Sequence, residues 1–147
     1  GITPLFWACH KGAPLGVLDA LLQAWPDAAK EKDSQGSTPL HWACRLEAHL
    51  EVVAALLQAC PDAVKEKDRR GITPLFWACH KGAPLGVLDA LLQAWPDAAK
   101  EKDSQGSTPL HWACRLEAHL EVVAALLQAC PDAVKEKDRR GITPLFW

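Results

Sequence analysis

The sequence predicts an all-α solenoid: helix–turn–helix units stacked in a row, with finger-like loops between them. Three observations predict it. Residues 1–70 recur unchanged as residues 71–140, and Gly141–Trp147 restart the same text. Within each 70 lies a weaker period of 35 that keeps Thr-Pro-Leu, Trp-Ala-Cys, Leu-Leu-Gln-Ala, Pro-Asp-Ala and Lys-Glu-Lys-Asp in register. Each 35 also holds two apolar series of helical spacing, opened and closed by prolines. Repeats of about 20–50 residues build stacks in which a unit buries its apolar face only against its neighbours. The 147 residues are therefore expected to form one array of units 1–35, 36–70, 71–105 and 106–140 in ABAB order, with a partial unit at 141–147.

Residues 36–70 illustrate the elements in order. Thr38 before Pro39 marks a helix start, because a hydroxyl at the N-cap can accept from orphan N–H groups and proline at the first position wastes none. Leu40, Ala43 and Cys44 fall at helical offsets with Trp42 beside them, which predicts a short inner helix over about Pro39–Arg45. Leu50, Val53 and Leu57, with Val52, Leu56 and Cys60, mark a second helix whose polar side carries Glu51 and Gln58. In A units Pro14 is expected at its first position. Pro26 and Pro61 stop it at Ala24 and Ala59, because the residue before a proline is pushed out of helical geometry. The rest, Pro-Asp-Ala-Ala/Val-Lys-Glu-Lys-Asp and on to Gly, has no apolar period and reads as a charged loop. Helix pairs are thus predicted near residues 4–24, 39–59, 74–94 and 109–129.

At this point the residues resemble a known family. Thr38–Cys44 (T-P-L-H-W-A-C), Leu50–Val53 (L-E-V-V) and Asp33–Gly36 (D-x-x-G) are similar to the ankyrin repeat, whose signature is T-P-L-H-x-A. The period of 35 exceeds that family's value of about 33, with the extra residues placed at Leu46–His49 and in Pro61–Arg70. In A units the motif histidine is Phe6, and Trp25 or Cys60 stands where a helix-ending glycine is usual. The resemblance implies an ankyrin-like solenoid that binds proteins or spaces them. It implies a binding surface at Lys32, Ser34, Gln35, Ser37, Arg45 and Leu46 in B-type junctions, and at Lys67, Arg69, Arg70, Ile72, His80 and Lys81 in their counterparts. It also implies that His41 ties its turn to a neighbouring loop.

Composition excludes several other classes. Sixteen Lys and Arg against 18 Asp and Glu give a net charge of -2, so a nucleic-acid or anionic-membrane partner is not expected. The apolar runs are far shorter than the roughly 20 residues a bilayer needs, and no leader opens the chain. With no Met and with Gly at position 1, the sequence reads as a segment of something longer, or as a built one. Cys9, Cys44, Cys60, Cys79, Cys114 and Cys130 are spaced by 35, 16, 19, 35 and 16, which follows the repeat and not a CxxC pairing. They are expected to be reduced and buried, in keeping with a cytoplasmic setting. A zinc site can be drawn from His41, Cys44 and His49, but small apolar cysteines in a tight helix explain the pattern more simply. The only disulfide pairing worth weighing is Cys44 with Cys60. Ser34, Ser37, Ser104 and Ser107 lie beside glycines without a base at fixed spacing, so no enzyme, cofactor or metal is expected.

Trp7, Trp42, Trp77 and Trp112 are assigned to the core, and Trp25 and Trp95 to a partly exposed position at the end of the outer helix. The Lys-Glu-Lys-Asp runs are expected to form a solvated ladder, with Lys30 over Lys65 and Glu31 over Glu66 and each lysine offset by acidic neighbours. A different functional class is self-assembly. Leu5 and Trp7 at one end, with Leu145, Phe146 and Trp147 at the other, are the residues expected to meet a further copy end to end.

Overall fold

The computed structural model describes all of residues 1–147. Eight helices form four successive pairs: α1 (Pro4–Lys11) with α2 (Leu15–Ala24), α3 (Pro39–Arg45) with α4 (Leu50–Ala59), α5 (Pro74–Lys81) with α6 (Leu85–Ala94), and α7 (Pro109–Arg115) with α8 (Leu120–Ala129). There is no strand. Odd-numbered helices pack on one another as an inner layer and even-numbered helices as an outer one. A short 3₁₀ turn, Pro144–Phe146, lies on α7 where a fifth inner helix would begin. No helix is long and apolar enough to cross a membrane.

The inner helices start at their Thr-Pro pairs, although the expected hydroxyl cap is missing at Thr3 and Thr73. Thr38 is extended at the N-cap and Pro39 occupies the first turn. Leu40, Ala43 and Cys44 then bury one stripe between neighbouring units. α1 and α5 end on Gly12 and Gly82, both left-handed, with φ of 62° and 63°. In B units the same position is Glu47 or Glu117, which adopt φ of 58° and 52° against the steric preference of an L side chain. Pro14 stands just outside α2 as its N-cap, with extended ψ of 147°, and not in the first helical turn.

The stretch after each outer helix is more ordered than its lack of apolar period suggests. Pro26–Lys30, Pro61–Lys65, Pro96–Lys100 and Pro131–Lys135 are 3₁₀ turns. Proline presets φ for the first residue, and burial of the two following small residues, such as Ala28 and Ala29, anchors the turn on the core. Beyond them a charge ladder is present, staggered by one position so that unlike charges meet. Lys32 pairs with Glu66 at 2.5 Å, Lys67 with Glu101, and Lys102 with Glu136 at 2.7 Å, each across one junction.

Each finger closes on an aspartate. Asp33 Oδ1 accepts from the N–H groups of Gln35 and Ser37 at 2.8 and 2.9 Å, and Asp68, Asp103 and Asp138 repeat the arrangement. Successive fingers are joined by backbone bonds: Arg69 N–H to Gln35 C=O, Ser104 N–H to Arg70 C=O, and Arg139 N–H to Gln105 C=O, at 2.8–2.9 Å. Gly71 is required where they meet, since its φ is 76° and a Cβ there would lie 3.1 Å from the Ser104 nitrogen.

Two kinds of junction alternate. From A to B, Phe6 sets its ring edge-on to Trp42 with centroids 5.7 Å apart, and Phe76 does the same to Trp112 at 5.5 Å. From B to A, His41 Nδ1 accepts from the Thr38 N–H at 3.1 Å while Nε2 donates to the Ile72 carbonyl at 2.9 Å, bridging to the next finger. His111 repeats this with Thr108 and Ile142. Where Phe replaces the histidine, the Thr3 and Thr73 hydroxyls are buried without a partner.

Four expectations need correction. Leu5 is only 1% exposed, turned inward with the first unit's core, and is not an end-contact residue. Ser37 and Ile72 are buried at the base of their fingers and belong to packing, not to the binding surface. The inner-helix tryptophans are not uniformly core: Trp7 is 53% exposed, Trp42 and Trp77 are half-buried, and only Trp112 is buried at 8%. Cys114 is half-buried while the other five cysteines are buried; all six are free thiols.

Candidate functional site

The inner-helix tryptophans, half-exposed at Trp7, half-buried at Trp42 and Trp77 and buried at Trp112, line up along one face. On α3 the buried stripe is Leu40, Ala43 and Cys44, and at about 100° per residue Trp42 points roughly 200° away from Leu40. That turns each indole toward the fingers. Trp42 Nε1 donates to Asp33 Oδ2 at 2.8 Å, and Trp112 Nε1 donates to Asp103 Oδ2 at 3.0 Å. Burial alone would raise the Asp33 carboxyl, but the bonds it accepts from Ser37 N–H, the Trp42 indole and Gln35 N–H outweigh burial and hold it below the usual carboxylate range.

Histidines and arginines continue the stripe. His10 lies 5.6 Å from Trp7 and 5.5 Å from Trp42; His80 lies 5.5 Å from both Trp77 and Trp112. Arg45 and Arg70 both place their guanidinium over Trp77, at 5.0 and 5.4 Å. Arg115 covers Trp112 at 5.6 Å and Arg140 covers Trp147 at 5.5 Å. Burial, and then the charges of Lys81, Arg115, Arg45 and Arg70, push the His80 imidazole below its ordinary value. A cleft of about 430 Å³ opens between fingers and inner helices at Trp112, with Arg70, Ser104, Gln105, Arg115 and Arg140 on its walls. A smaller one of about 110 Å³ lies among His10, Trp42, Arg45 and Leu46.

The sequence model of the family described as ankyrin repeats (3 copies) matches residues 1–65 and again residues 60–139. This chain belongs to the ankyrin-repeat family. No individually curated protein matches it. Ankyrin repeats are in general noncatalytic modules that mediate protein–protein binding.

The residues expected to form this ankyrin array's binding surface divide clearly. Lys32, Ser34, Gln35, Arg45, Leu46, Lys67, Arg69, Arg70 and Lys81 are exposed, and His80 is half-buried. Arg45, Arg70 and His80 converge on Trp77, whereas Lys32 and Lys67 are engaged in the charge ladder. The residues not foreseen for this face are Trp42, Trp77 and Trp112. The signal for them was available in the angle each makes with its helix's buried stripe, and in the nine-residue interval that separates Asp33 from Trp42 and Asp103 from Trp112.

Proposed function

We propose that this chain is a noncatalytic scaffold that holds a protein partner on the face made by its fingertips and inner helices. The observation that carries the reading is the convergence of Arg45, Arg70 and His80 on Trp77. Arginine and tryptophan are the residue types that dominate binding hot spots, and here they meet beside an open cleft. Selection of a displayed random peptide library on the immobilised chain tests it. Selected peptides should lose at least tenfold in affinity on Arg45→Ala or Trp77→Ala and keep it on Gln58→Ala, which changes the outer layer. Peptides that respond to the outer helix and not to the inner face would refute the reading.

A second reading is end-to-end stacking of copies, and one observation favours it. Leu145 and Phe146 are 79% and 69% exposed at one end of the array, and Trp7 is 53% exposed at the other. Covering two such side chains is worth about 1.5–3 kcal/mol each, and Trp7 and Trp147 extend the two exposed ends. Sedimentation velocity over a hundredfold concentration range distinguishes the readings. Stacking requires concentration-dependent growth that Phe146→Ser suppresses, and a constant sedimentation coefficient excludes it.

A further inference from the structure

Resting on the reading of the inner face as the partner site, we infer that its occupant is an extended acidic peptide segment whose carboxylates recur about every five or six residues.

The first ground is how the charges are used. The chain is slightly acidic overall, and exposed Glu47 and Glu117 stand near Arg45 and Arg115, yet most acids along the fingers are already engaged. Glu66, Glu101 and Glu136 pair with lysines across the junctions, while Asp27, Asp62, Asp97 and Asp132 pair with lysines within the 3₁₀ turns. The two carboxylates in the cleft are occupied as well. Asp103 accepts from Gln105 N–H, Ser107 N–H and the Trp112 indole, and Asp138 accepts from Arg140 and Ile142 N–H groups and the Arg140 guanidinium. The cations of the face are left over: Arg45, Lys81 and Arg115 make no ion pair. Arg70 has only a 3.9 Å approach to Asp68. Face-on contact with an indole restrains each guanidinium while its N–H fork stays open, which suits it to a carboxylate.

The second ground is periodicity. The unpaired Arg45 and Arg115 are one 70-residue repeat apart. Neighbouring packed helices lie about 8–10 Å apart, so two units span about 16–20 Å. An extended chain advances about 3.3 Å per residue, which puts equivalent carboxylates about five or six residues apart. Single-stranded nucleic acid fits less well. Base stacking needs open aromatic faces, and here arginines cover the indole faces of Trp77 and Trp112.

Fluorescence anisotropy with three labelled probes tests the inference: a 14-residue Gly/Ser/Ala peptide carrying Glu at positions 4 and 10, its Gln twin, and a 14-nucleotide oligothymidine. The Glu peptide should bind at least tenfold tighter than the Gln twin. Arg45→Gln with Arg115→Gln should abolish that difference without moving the melting temperature, and Glu51→Gln with Glu121→Gln on the outer helices should leave it intact. Raising salt from 50 to 300 mM should weaken the Glu peptide severalfold. Equal binding of the two peptides, indifference to the arginine variants, or tighter binding of the oligonucleotide overturns the inference. If library-selected peptides map to the inner face but carry no acids, the acidic specificity fails and the scaffold reading stands.

Discussion

The Trp42 indole donates to the Asp33 carboxylate across 2.8 Å, fastening an inner helix to the finger that precedes it. Asp68 and Trp77 stand at the same interval, but Trp77 makes no such bond and takes two guanidiniums on its face instead. The same tryptophan position is thus structural at Trp42 and available to a ligand at Trp77.

Replacing the indole should expose that difference. Trp42→Phe removes one donor and leaves a half-buried carboxylate oxygen unpaired, a loss of about 1 kcal/mol or somewhat more. Trp77→Phe removes no hydrogen bond and should cost less. Urea midpoints of the two variants, measured side by side, check the order. Equal losses would contradict the assignment.

Glu47 and Glu117 sit in left-handed backbone at positions where A units have glycine. The left-handed conformation costs an L residue about 1–2 kcal/mol, partly offset because glycine gains about 0.4–1 kcal/mol of freedom when unfolded. Glu47→Gly with Glu117→Gly should therefore stabilise the chain by about 1 kcal/mol, and Gly82→Ala should destabilise it. Thermal melting of the three proteins decides.

Stability should fall as pH falls, in two stages. His41 is buried, and desolvation holds its imidazole below the ordinary value. The unfolded chain then takes up a proton first, at about pH 6.5. The stability supplied by the neutral ring is complete above that pH and is lost as pH drops through it toward the folded value. Asp33 is lowered as well, so its contribution is complete above its unfolded pKa of about 3.9 and is lost below it. His41→Phe, which copies the A-unit text, should cost about 1–3 kcal/mol at pH 7.5 by stranding the Ile72 carbonyl. It should also flatten the slope between pH 7.5 and 5. Urea unfolding at three pH values checks both signs, and an unchanged slope would count against His41 as its source.

Thiol reactivity should be graded along the chain. Burial pushes the Cys9 and Cys79 thiols up to about 12 and the Cys44 thiol further still. Cys114 is half-buried and shifted upward less. N-ethylmaleimide labelling followed by mass spectrometry should modify Cys114 well before Cys9, Cys44 and Cys79, whose rates should follow global or local opening. Uniform rapid labelling of all six would show that the inner layer is not closed.

Most of the fold was legible because each element carries a local physical signal. Thr38-Pro39 opens α3, Pro61 closes α4, and Leu40, Ala43 and Cys44 mark the buried stripe. Trp112 is buried as expected, but Trp7, Trp42 and Trp77 were misassigned because apolar character was given more weight than helical angle. The 3₁₀ turns escaped because five residues are too few to display a period. Ser37 and Ile72 look like ordinary finger positions in sequence. Ile72 is buried in a small cluster with Phe76 and Trp112, the latter from the following unit, a contact no local pattern displays. The end-to-end partnership of Leu5 failed for a simpler reason: its own unit already covers it.

The bond from each finger to the next uses backbone atoms alone, and its position is the same at all three junctions. Side chains make the alternating contacts, Phe6 on Trp42 and then His41 on Ile72, and these return to register only after 70 residues. A gain or loss of 70 residues therefore recreates junctions that already exist, whereas a change of 35 places like beside like, Phe facing an A unit or His facing a B unit. Such an architecture tolerates copy-number variation in pairs of units. Its length can drift by whole pairs while every interface keeps the chemistry it had.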